Sequence, residues 1–154
     1  MHPYTYTVTL RVSHPKMAPE IITQTLNMTP VRSWMVGQQR TTPAGLLLNG
    51  VYKSSYWYSR LVTTDDSDLP TFLAHTAETL IGHRDFFWQL HDTEGRVELS
   101  VGVYMGGSNV GLPLLLPVLA SLARACIGLS LDIYDGQQAQ HELSAEPLSP
   151  ANGG

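Results

Sequence analysis

The sequence predicts an α+β fold, a ferredoxin-like sandwich with helices on one face of a mostly antiparallel sheet. Two kinds of periodicity support this prediction. Residues 4–12 and 97–105 alternate apolar and polar side chains, as half-buried strands do. Residues 69–81 instead place their apolar side chains on one helical face. Strands that alternate with helices along one short chain favour a single layered domain.

The first half of the chain begins with the strand at residues 4–12 and continues with a short helix. Pro19 opens this helix, because a residue in the first turn needs no N–H, and Glu20 lies where the helix dipole favours a carboxylate. The helix ends before Pro30, since proline disfavours helical geometry in the residue that precedes it. Residues 31–49 are rich in Arg, Gln, Gly, Thr and Pro, which indicates a long loop or a loosely paired hairpin.

The second half contains two strands around a helical region, followed by one more helix and a closing strand. Aspartates at positions 65, 66 and 68 are candidates to cap the first of these helices. The predicted elements are a strand at 51–62, helices at 69–81 and 84–91, a strand at 97–105, a helix at 117–123 and a strand at 129–134.

The layout of the chain also predicts an internal βαβ duplication. Residues 4–34 and residues 97–134 each run strand, turn, helix and return segment, with little residue identity between them. Two such units favour the ferredoxin-like arrangement and leave one sheet face open for binding. We expect one domain at residues 1–136 and a flexible tail at residues 137–154, where Ala, Glu, Ser, Pro and Gly dominate.

Composition narrows the classes of protein to which the chain can belong. Hydrophobic residues make up 43% and charged residues 14%, which is the balance of a folded chain. The net charge is −4 and no basic block occurs, so we expect no nucleic-acid partner. No apolar run is long enough to cross a bilayer, and residues 1–6 lack the features of a signal peptide, so we expect a cytoplasmic protein outside the membrane.

Four local patterns follow one another in a definite order and spacing. They are Pro19-Glu20-Ile21-Ile22; Thr29-Pro30-Val31-Arg32-Ser33-Trp34 with Gly37; Tyr56-Trp57-Tyr58; and Leu129-Ser130-Leu131-Asp132-Ile133-Tyr134. Together they resemble a bacterial family, the domain of unknown function DUF4279, from about residue 4 to residue 134. Members of that family carry a more lysine-rich stretch where this chain has residues 35–40. The resemblance implies a small bacterial protein and supplies no catalytic residues.

Catalytic and metal-binding patterns are weak in this sequence. The six histidines lack the spacing of a shared metal site, so we expect neither a metal nor another cofactor. The aspartates at 65, 66 and 68 lack the distal glutamate of a calcium loop and favour helix capping. Cys126, the only cysteine, lies in an apolar run and is expected to be buried and inert. No catalytic residue is assigned, and whether the protein is an enzyme stays open, with a noncatalytic role favoured.

Arginine and tryptophan, the residue types most enriched at binding hot spots, recur in the middle of the sequence. If Trp34 and Trp57 lie on neighbouring strands, they and the nearby arginines can form a surface for an acidic or planar partner. The alternative is that both tryptophans are core anchors and the arginines are solvated. The candidate partner- or ligand-binding residues are Arg32, Trp34, Arg40, Trp57 and Arg60.

Two functional hypotheses follow. The first is a noncatalytic interaction module that binds and occludes one specific partner protein, as bacterial immunity or defence-associated proteins do; this role enters by analogy. The second is a regulatory domain that binds a small molecule on the open sheet face. The oligomeric state is left open, including two-fold pairing through an exposed edge strand.

Overall fold

The computed structural model describes residues 3–61, 67–107 and 109–135 of the 154-residue chain. A helix follows the first strand, four strands then follow one another, and a short 3₁₀ turn at Ile81–His83 joins the second and third helices. The elements are β1 (Tyr4–His14), α1 (Pro19–Leu26), β2 (Arg32–Trp34), β3 (Gln39–Thr41), β4 (Leu47–Val51), β5 (Ser55–Leu61), α2 (Leu69–Leu80), α3 (Arg84–Asp92), β6 (Arg96–Met105), α4 (Leu116–Arg124) and β7 (Gly128–Tyr134).

Five of these strands form one mixed sheet in the order β2-β5-β1-β6-β7. The β2–β5, β5–β1 and β1–β6 pairs are antiparallel, whereas β6 and β7 are parallel. The strands β3 and β4 pair separately as a two-stranded antiparallel hairpin. The predicted α+β class is therefore confirmed, with one parallel pair in an otherwise antiparallel sheet.

The two strand–helix–strand units differ in how their strands are placed. In the second unit, β6 and β7 are adjacent and parallel, and α4 connects them. In the first unit, β5 lies between β1 and β2 and is antiparallel to both, so β1 and β2 run parallel without touching. In both units, the strand after the connecting helix runs parallel to the strand before it.

The helices cover one face of the sheet, which we call the helix-covered face. Alternate residues of β1, such as Leu10 and Val12, are fully buried there. They belong to one apolar core with Ile22 of α1, Leu73 of α2 and Phe87 of α3. Because side chains alternate along a strand, the intervening residues point to the other side, the opposite face.

Local chemistry explains where the helices start. Pro19, Pro70 and Pro117 each lie in the first turn of a helix, where no backbone N–H is needed. Asp68 caps α2 by accepting a hydrogen bond from the Thr71 N–H at 2.9 Å, which confirms the capping role predicted for it. The aspartates at positions 65 and 66 lie outside the described residues.

The region predicted as a loop or loose hairpin contains three short strands. Residues 47–51 pair with β3 rather than extending β5, so the strand predicted at residues 51–62 begins only at Ser55. Residues 52–54 separate β4 from β5, and inside the hairpin Gly50 has a positive φ of +87° where the β3–β4 register is irregular. The tail predicted at residues 137–154 lies outside the described residues. Within the described part of the chain, no helix combines the length and apolarity needed to cross a membrane.

Candidate functional site

The register of the sheet determines which predicted side chains share the opposite face. Trp34 of β2 pairs with Tyr56 of β5, and Arg32 pairs with Tyr58. Tyr58 in turn pairs with Arg11 of β1, which pairs with Glu98 of β6. Directly paired residues project to the same side of a sheet. The opposite face therefore carries a row of aromatic and charged side chains, unlike the aliphatic helix-covered face.

Four aromatic residues of this face pack on one another and are called the aromatic cluster: Trp34, Tyr52, Tyr56 and Tyr58. The Trp34 ring stacks with Tyr52 at 4.4 Å and with Tyr56 at 4.6 Å, measured between ring centroids. Tyr58 meets Tyr56 at a tilted angle, with 5.8 Å between centroids. Tyr52 follows β4 directly in the chain, so this stack fastens the end of the hairpin to the sheet.

Arg32 connects the same two parts of the molecule. Its guanidinium carbon lies 5.0 Å from the centroid of the Trp34 ring, which is a cation–π contact. Its Nη2 donates to the Thr41 carbonyl at 2.6 Å and to the Tyr52 hydroxyl at 3.2 Å. The Tyr52 hydroxyl also accepts from the Thr41 N–H at 3.1 Å. Arg32 and Tyr52 therefore form a clamp that holds β3 against the sheet.

The clamped β3–β4 hairpin exposes apolar side chains. All five residues of β4 are exposed, and Leu47 retains 75% of its accessible surface. Leu46, in the turn, retains 68%, and Leu48 and Val51 are also exposed. Scattered exposed leucines are ordinary on protein surfaces, but here four large apolar side chains are exposed within six residues. Such a local concentration of exposed apolar side chains is typical of an interaction site.

Side-chain hydrogen bonds stiffen the hairpin from within. Arg40 Nη1 donates to the Asn49 carbonyl at 3.1 Å, and Gln39 Nε2 donates to the Leu48 carbonyl. At its base, the Gly37 N–H donates to the Tyr52 carbonyl at 2.8 Å and the Tyr52 N–H donates to Gln38 at 2.9 Å. The apolar side chains are therefore presented on an ordered support.

The structure divides the five predicted binding residues into three groups. Arg32 and Trp34 lie together on the opposite face, and Arg60 shares that face through its pairing with Thr9. Arg40 lies on the hairpin. Trp57 is on a neighbouring strand to Trp34, but it pairs with Ser33 and faces the other way. It is fully buried in the helix-covered core, where its Nε1 donates to Thr23 Oγ1 at 3.0 Å.

Sequence reasoning did not single out Tyr52 or the apolar residues of the hairpin. A signal was present, because Leu46, Leu47 and Leu48 form a consecutive run bounded by Gly45 and Gly50. An apolar run between turn-forming residues is more often a buried strand, so its exposure could not be read from the pattern.

Apart from the hairpin, the surface has a cleft between the start of α1 and the end of α3. It is a cleft of about 640 Å³ with Met17 and Ile21 on an apolar wall. Lys16, Asp92 and Glu94 contribute charged groups to its lining. A volume of this size is within the range of small-molecule pockets, about 300–1,000 Å³.

His14 lies at the base of this cleft, at the end of β1, and is buried. Its Nδ1 accepts hydrogen bonds from the backbone N–H groups of Lys16 and Met17, at 3.0 and 2.9 Å. Its Nε2 lies 2.8 Å from Thr93 Oγ1, so the proton of the neutral ring belongs on Nε2. Burial, and secondly the charge of Lys16, lower the pKa of His14 below its ordinary value of 6.5.

Other chemistry is sparse in the described part of the chain. Among residues 3–61, 67–107 and 109–135, no group of three or more His, Cys, Asp or Glu side chains could hold a metal ion. Cys126 is partly buried, with a free thiol and a left-handed φ of 61° just after α4. Its carbonyl lies 2.9 Å from His91 Nε2, which joins α3 to this turn.

Comparison with known proteins places the chain in a family. Residues 3–136 match the family described as a domain of unknown function, DUF4279. This match spans most of the chain, which therefore belongs to the family, and it confirms the resemblance carried by the four sequence patterns. No curated protein and no solved structure gives a significant match.

Proposed function

We propose that this member of the DUF4279 family is a noncatalytic interaction module that binds and occludes a partner protein through its β3–β4 hairpin. A role as a cytoplasmic bacterial immunity or defence-associated protein is consistent with this activity and is reached by analogy. The observation that carries the proposal is the exposure of Leu46 and Leu47, at 68% and 75%, on an ordered hairpin.

The energetic argument rests on what these leucines gain from a partner. Burying a leucine side chain contributes about 1.5–3 kcal/mol relative to leaving it in water. Leu46 and Leu47, at the turn of the hairpin, can therefore supply a substantial part of the binding free energy of a specific complex. Hot spots of this kind fill pockets on the partner while the surrounding contacts exclude water.

The aromatic cluster and Arg32 support this activity indirectly. A two-stranded hairpin is marginally stable on its own, so a free hairpin would lose conformational entropy on binding. Stacking of Trp34 on Tyr52, together with the Arg32 hydrogen bonds, keeps the hairpin in one position before the partner arrives. In this proposal Arg32 and Trp34 act mainly by holding the hairpin, and Arg40 lies on the contact surface.

The β3–β4 hairpin follows the first of the two strand–helix–strand units. We infer a ferredoxin-like arrangement that arose by βαβ duplication, supported by the parallel strands on either side of α1 and of α4. The hairpin is then an insertion between β2 and β5 of the first unit. Insertions of this kind commonly carry the binding function of a scaffold.

The test compares two variants that add the same charge to an exposed apolar residue. Leu47→Glu changes the hairpin, and Trp88→Glu changes α3, where Trp88 is 62% exposed. Protein captured from lysate of the source cell is identified by mass spectrometry, purified and titrated against each variant. We expect Leu47→Glu to weaken binding at least about tenfold, which is about 1.4 kcal/mol. Equal affinity of Leu47→Glu and the parent chain for the purified partner would refute the proposed surface.

The cleft beside His14 favours a second candidate function, the binding of a small molecule with an apolar body and a polar group. A ligand that binds only the native state raises the unfolding temperature in a concentration-dependent manner. Compounds that stabilise the parent chain should fail to stabilise Ile21→Arg, in which a long side chain enters the cleft. Stabilisation that persists in this variant would place the ligand elsewhere.

A further inference from the structure

The strand β7 forms one end of the described five-stranded sheet. Within residues 3–61, 67–107 and 109–135, β7 pairs only with β6, and no strand pairs with its other side. Proteins commonly protect such edges with lysine, proline, a bulge or a very short strand. β7 is seven residues long, contains neither lysine nor proline, and pairs with β6 in an unbroken register.

Apolar side chains accompany this edge on the helix-covered face. Ile133 is 60% exposed and Leu131 is also exposed, although both belong to the side of the sheet on which the core packs. The neighbouring helix α4, which packs against β7, exposes Leu116 to 77% and leaves Leu119 exposed. Apolar side chains of β7 and α4 are therefore exposed to solvent at this end of the sheet.

The sequence that follows β7 offers few residues of the types that favour strands. Residues 136–154 contain only two large apolar side chains, Leu143 and Leu148, among Gln, Glu, His, Asn, Ser, Ala, Gly and Pro. This composition lacks the β-branched and aromatic residues that favour a further strand. A second copy of the chain, in contrast, offers the same apolar edge and the same backbone groups.

The sequence of β7 is self-complementary about its midpoint. An antiparallel pair related by a two-fold axis at Leu131 places Leu131 opposite its own copy and Leu129 opposite the copy of Ile133. These residues all lie on the helix-covered face, so apolar side chains meet apolar side chains. On the opposite face, Asp132 then lies across from Ser130 of the other copy rather than from a second carboxylate. The two Asp132 carboxylates are therefore not opposite each other, and each lies opposite a Ser130 hydroxyl that can donate a hydrogen bond to it.

We propose that two copies of this chain associate through their β7 strands, antiparallel about a two-fold axis at Leu131, and join their sheets into one ten-stranded sheet. The interface is isologous, since each copy contributes the same strand and the same face of α4. The hairpin β3–β4 lies beside β2 and β5 at the other end of the sheet order, so both hairpins stay accessible to partners.

Disulfide trapping tests the register directly. In a Cys126→Ser background, Leu131→Cys places two thiols on the axis, where facing Cα atoms are about 4.5–5.5 Å apart. That separation suits a disulfide, so oxidation with diamide should yield a covalent dimer at micromolar protein. Leu129→Cys in the same background is the matched control, because its two copies would lie about 13 Å apart along the strands. We expect rapid crosslinking of Leu131→Cys and little of Leu129→Cys.

Sedimentation equilibrium supplies the second measurement. The parent chain should sediment as a dimer, and Ile133→Lys should weaken dimerisation at least about tenfold, because a lysine on an edge strand opposes pairing. Leu47→Glu, on the hairpin, should leave the dimer unchanged, which separates this proposal from the proposed partner-binding function. A monomeric parent chain at about 100 μM, or equal crosslinking of the two cysteine variants, would overturn the proposal.

Discussion

Trp57 and Trp34 lie on neighbouring strands, one residue apart in register, and both are buried, yet they serve different parts of the molecule. Trp57 faces the helices, where its ring joins the apolar core and its Nε1 binds Thr23 of α1. Trp34 faces the other way and stacks with both Tyr52 and Tyr56. The residues that bury Trp57 belong to the main fold, whereas Tyr52 belongs to the attachment of a hairpin.

This difference shows that burial alone does not identify a structural core. On the helix-covered face, the buried apolar side chains form the core that packs the helices on the sheet. On the opposite face, the aromatic cluster holds an element that the five-stranded sheet does not need for its own pairing. We therefore interpret the aromatic cluster through the proposed role of the hairpin in binding a partner, and not as part of the core.

Truncation of the two tryptophans gives the largest expected effect and can break this comparison. Trp57→Ala should destabilise the whole domain by about 3–5 kcal/mol, as removal of a fully buried aromatic side chain does. Trp34→Ala should cost less, because the hairpin can detach while the helix-covered core stays intact. Urea unfolding followed by circular dichroism measures both variants. Equal losses of unfolding free energy would show that the two faces form one cooperative core.

Arg32→Ala sharpens the comparison with a smaller change. It removes a cation–π contact and the hydrogen bonds from Arg32 to Thr41 and Tyr52, so we expect the free energy that holds the hairpin on the sheet to fall by about 1–2 kcal/mol. The backbone amides of Gly37 and Tyr52, which close the base of the hairpin, should exchange hydrogen about tenfold faster or more. The hydrogen-exchange rates of backbone amides that bond β1 to β6 should not change.

The matched control for this experiment is Arg60→Ala. It removes the same charge from the same face, but Arg60 pairs with Thr9 on the side of β5 away from β2. Exchange in the hairpin should therefore be the same as in the parent chain. If Arg60→Ala accelerates hairpin exchange as much as Arg32→Ala does, general electrostatics rather than the clamp controls the hairpin.

The strands and helices were largely predictable because their signals are local. Period-two alternation located β1 and β6, and prolines in first turns located α1, α2 and α4. The long-range arrangement was not predictable in the same way. The insertion of β5 between β1 and β2 depends on pairing between residues about 50 positions apart, for which neither strand carries a local signal.

The candidate site illustrates the same limit at the level of single residues. Arg32 and Trp34 were selected by residue type, and the sequence left open whether Trp34 lies on a strand next to that of Trp57. The separation of Trp34 from Trp57 was not anticipated, because a shift of one residue in register moves a side chain to the other face. The clamp on Thr41 and Tyr52 requires the hairpin to fold back on the sheet, which composition alone does not encode.

The smallest expected effect is a change of stability with pH. It tests the helix-covered face, because His14 is buried at one end of that face. Protonation of Nδ1 would oppose the N–H groups of Lys16 and Met17, which already donate to that atom. The pKa of His14 is therefore lower in the folded chain than the ordinary 6.5 of an unfolded histidine, through burial first and Lys16 second. Below that ordinary value the unfolded state binds more protons, so stability is fully present above about pH 6.5 and is lost as pH falls toward the folded-state pKa.

Urea unfolding from about pH 5 to about pH 7.5 measures this dependence, which is limited to one proton at this site. His14→Gln is the comparison, because glutamine is polar and of similar reach but does not titrate. The parent chain should lose more stability than His14→Gln between the upper and lower pH, while the aromatic cluster and its clamp contribute nothing to the difference. If both chains show the same slope, the network of His14 with Lys16, Met17 and Thr93 does not control the pH dependence, and the cleft is not anchored by a neutral imidazole.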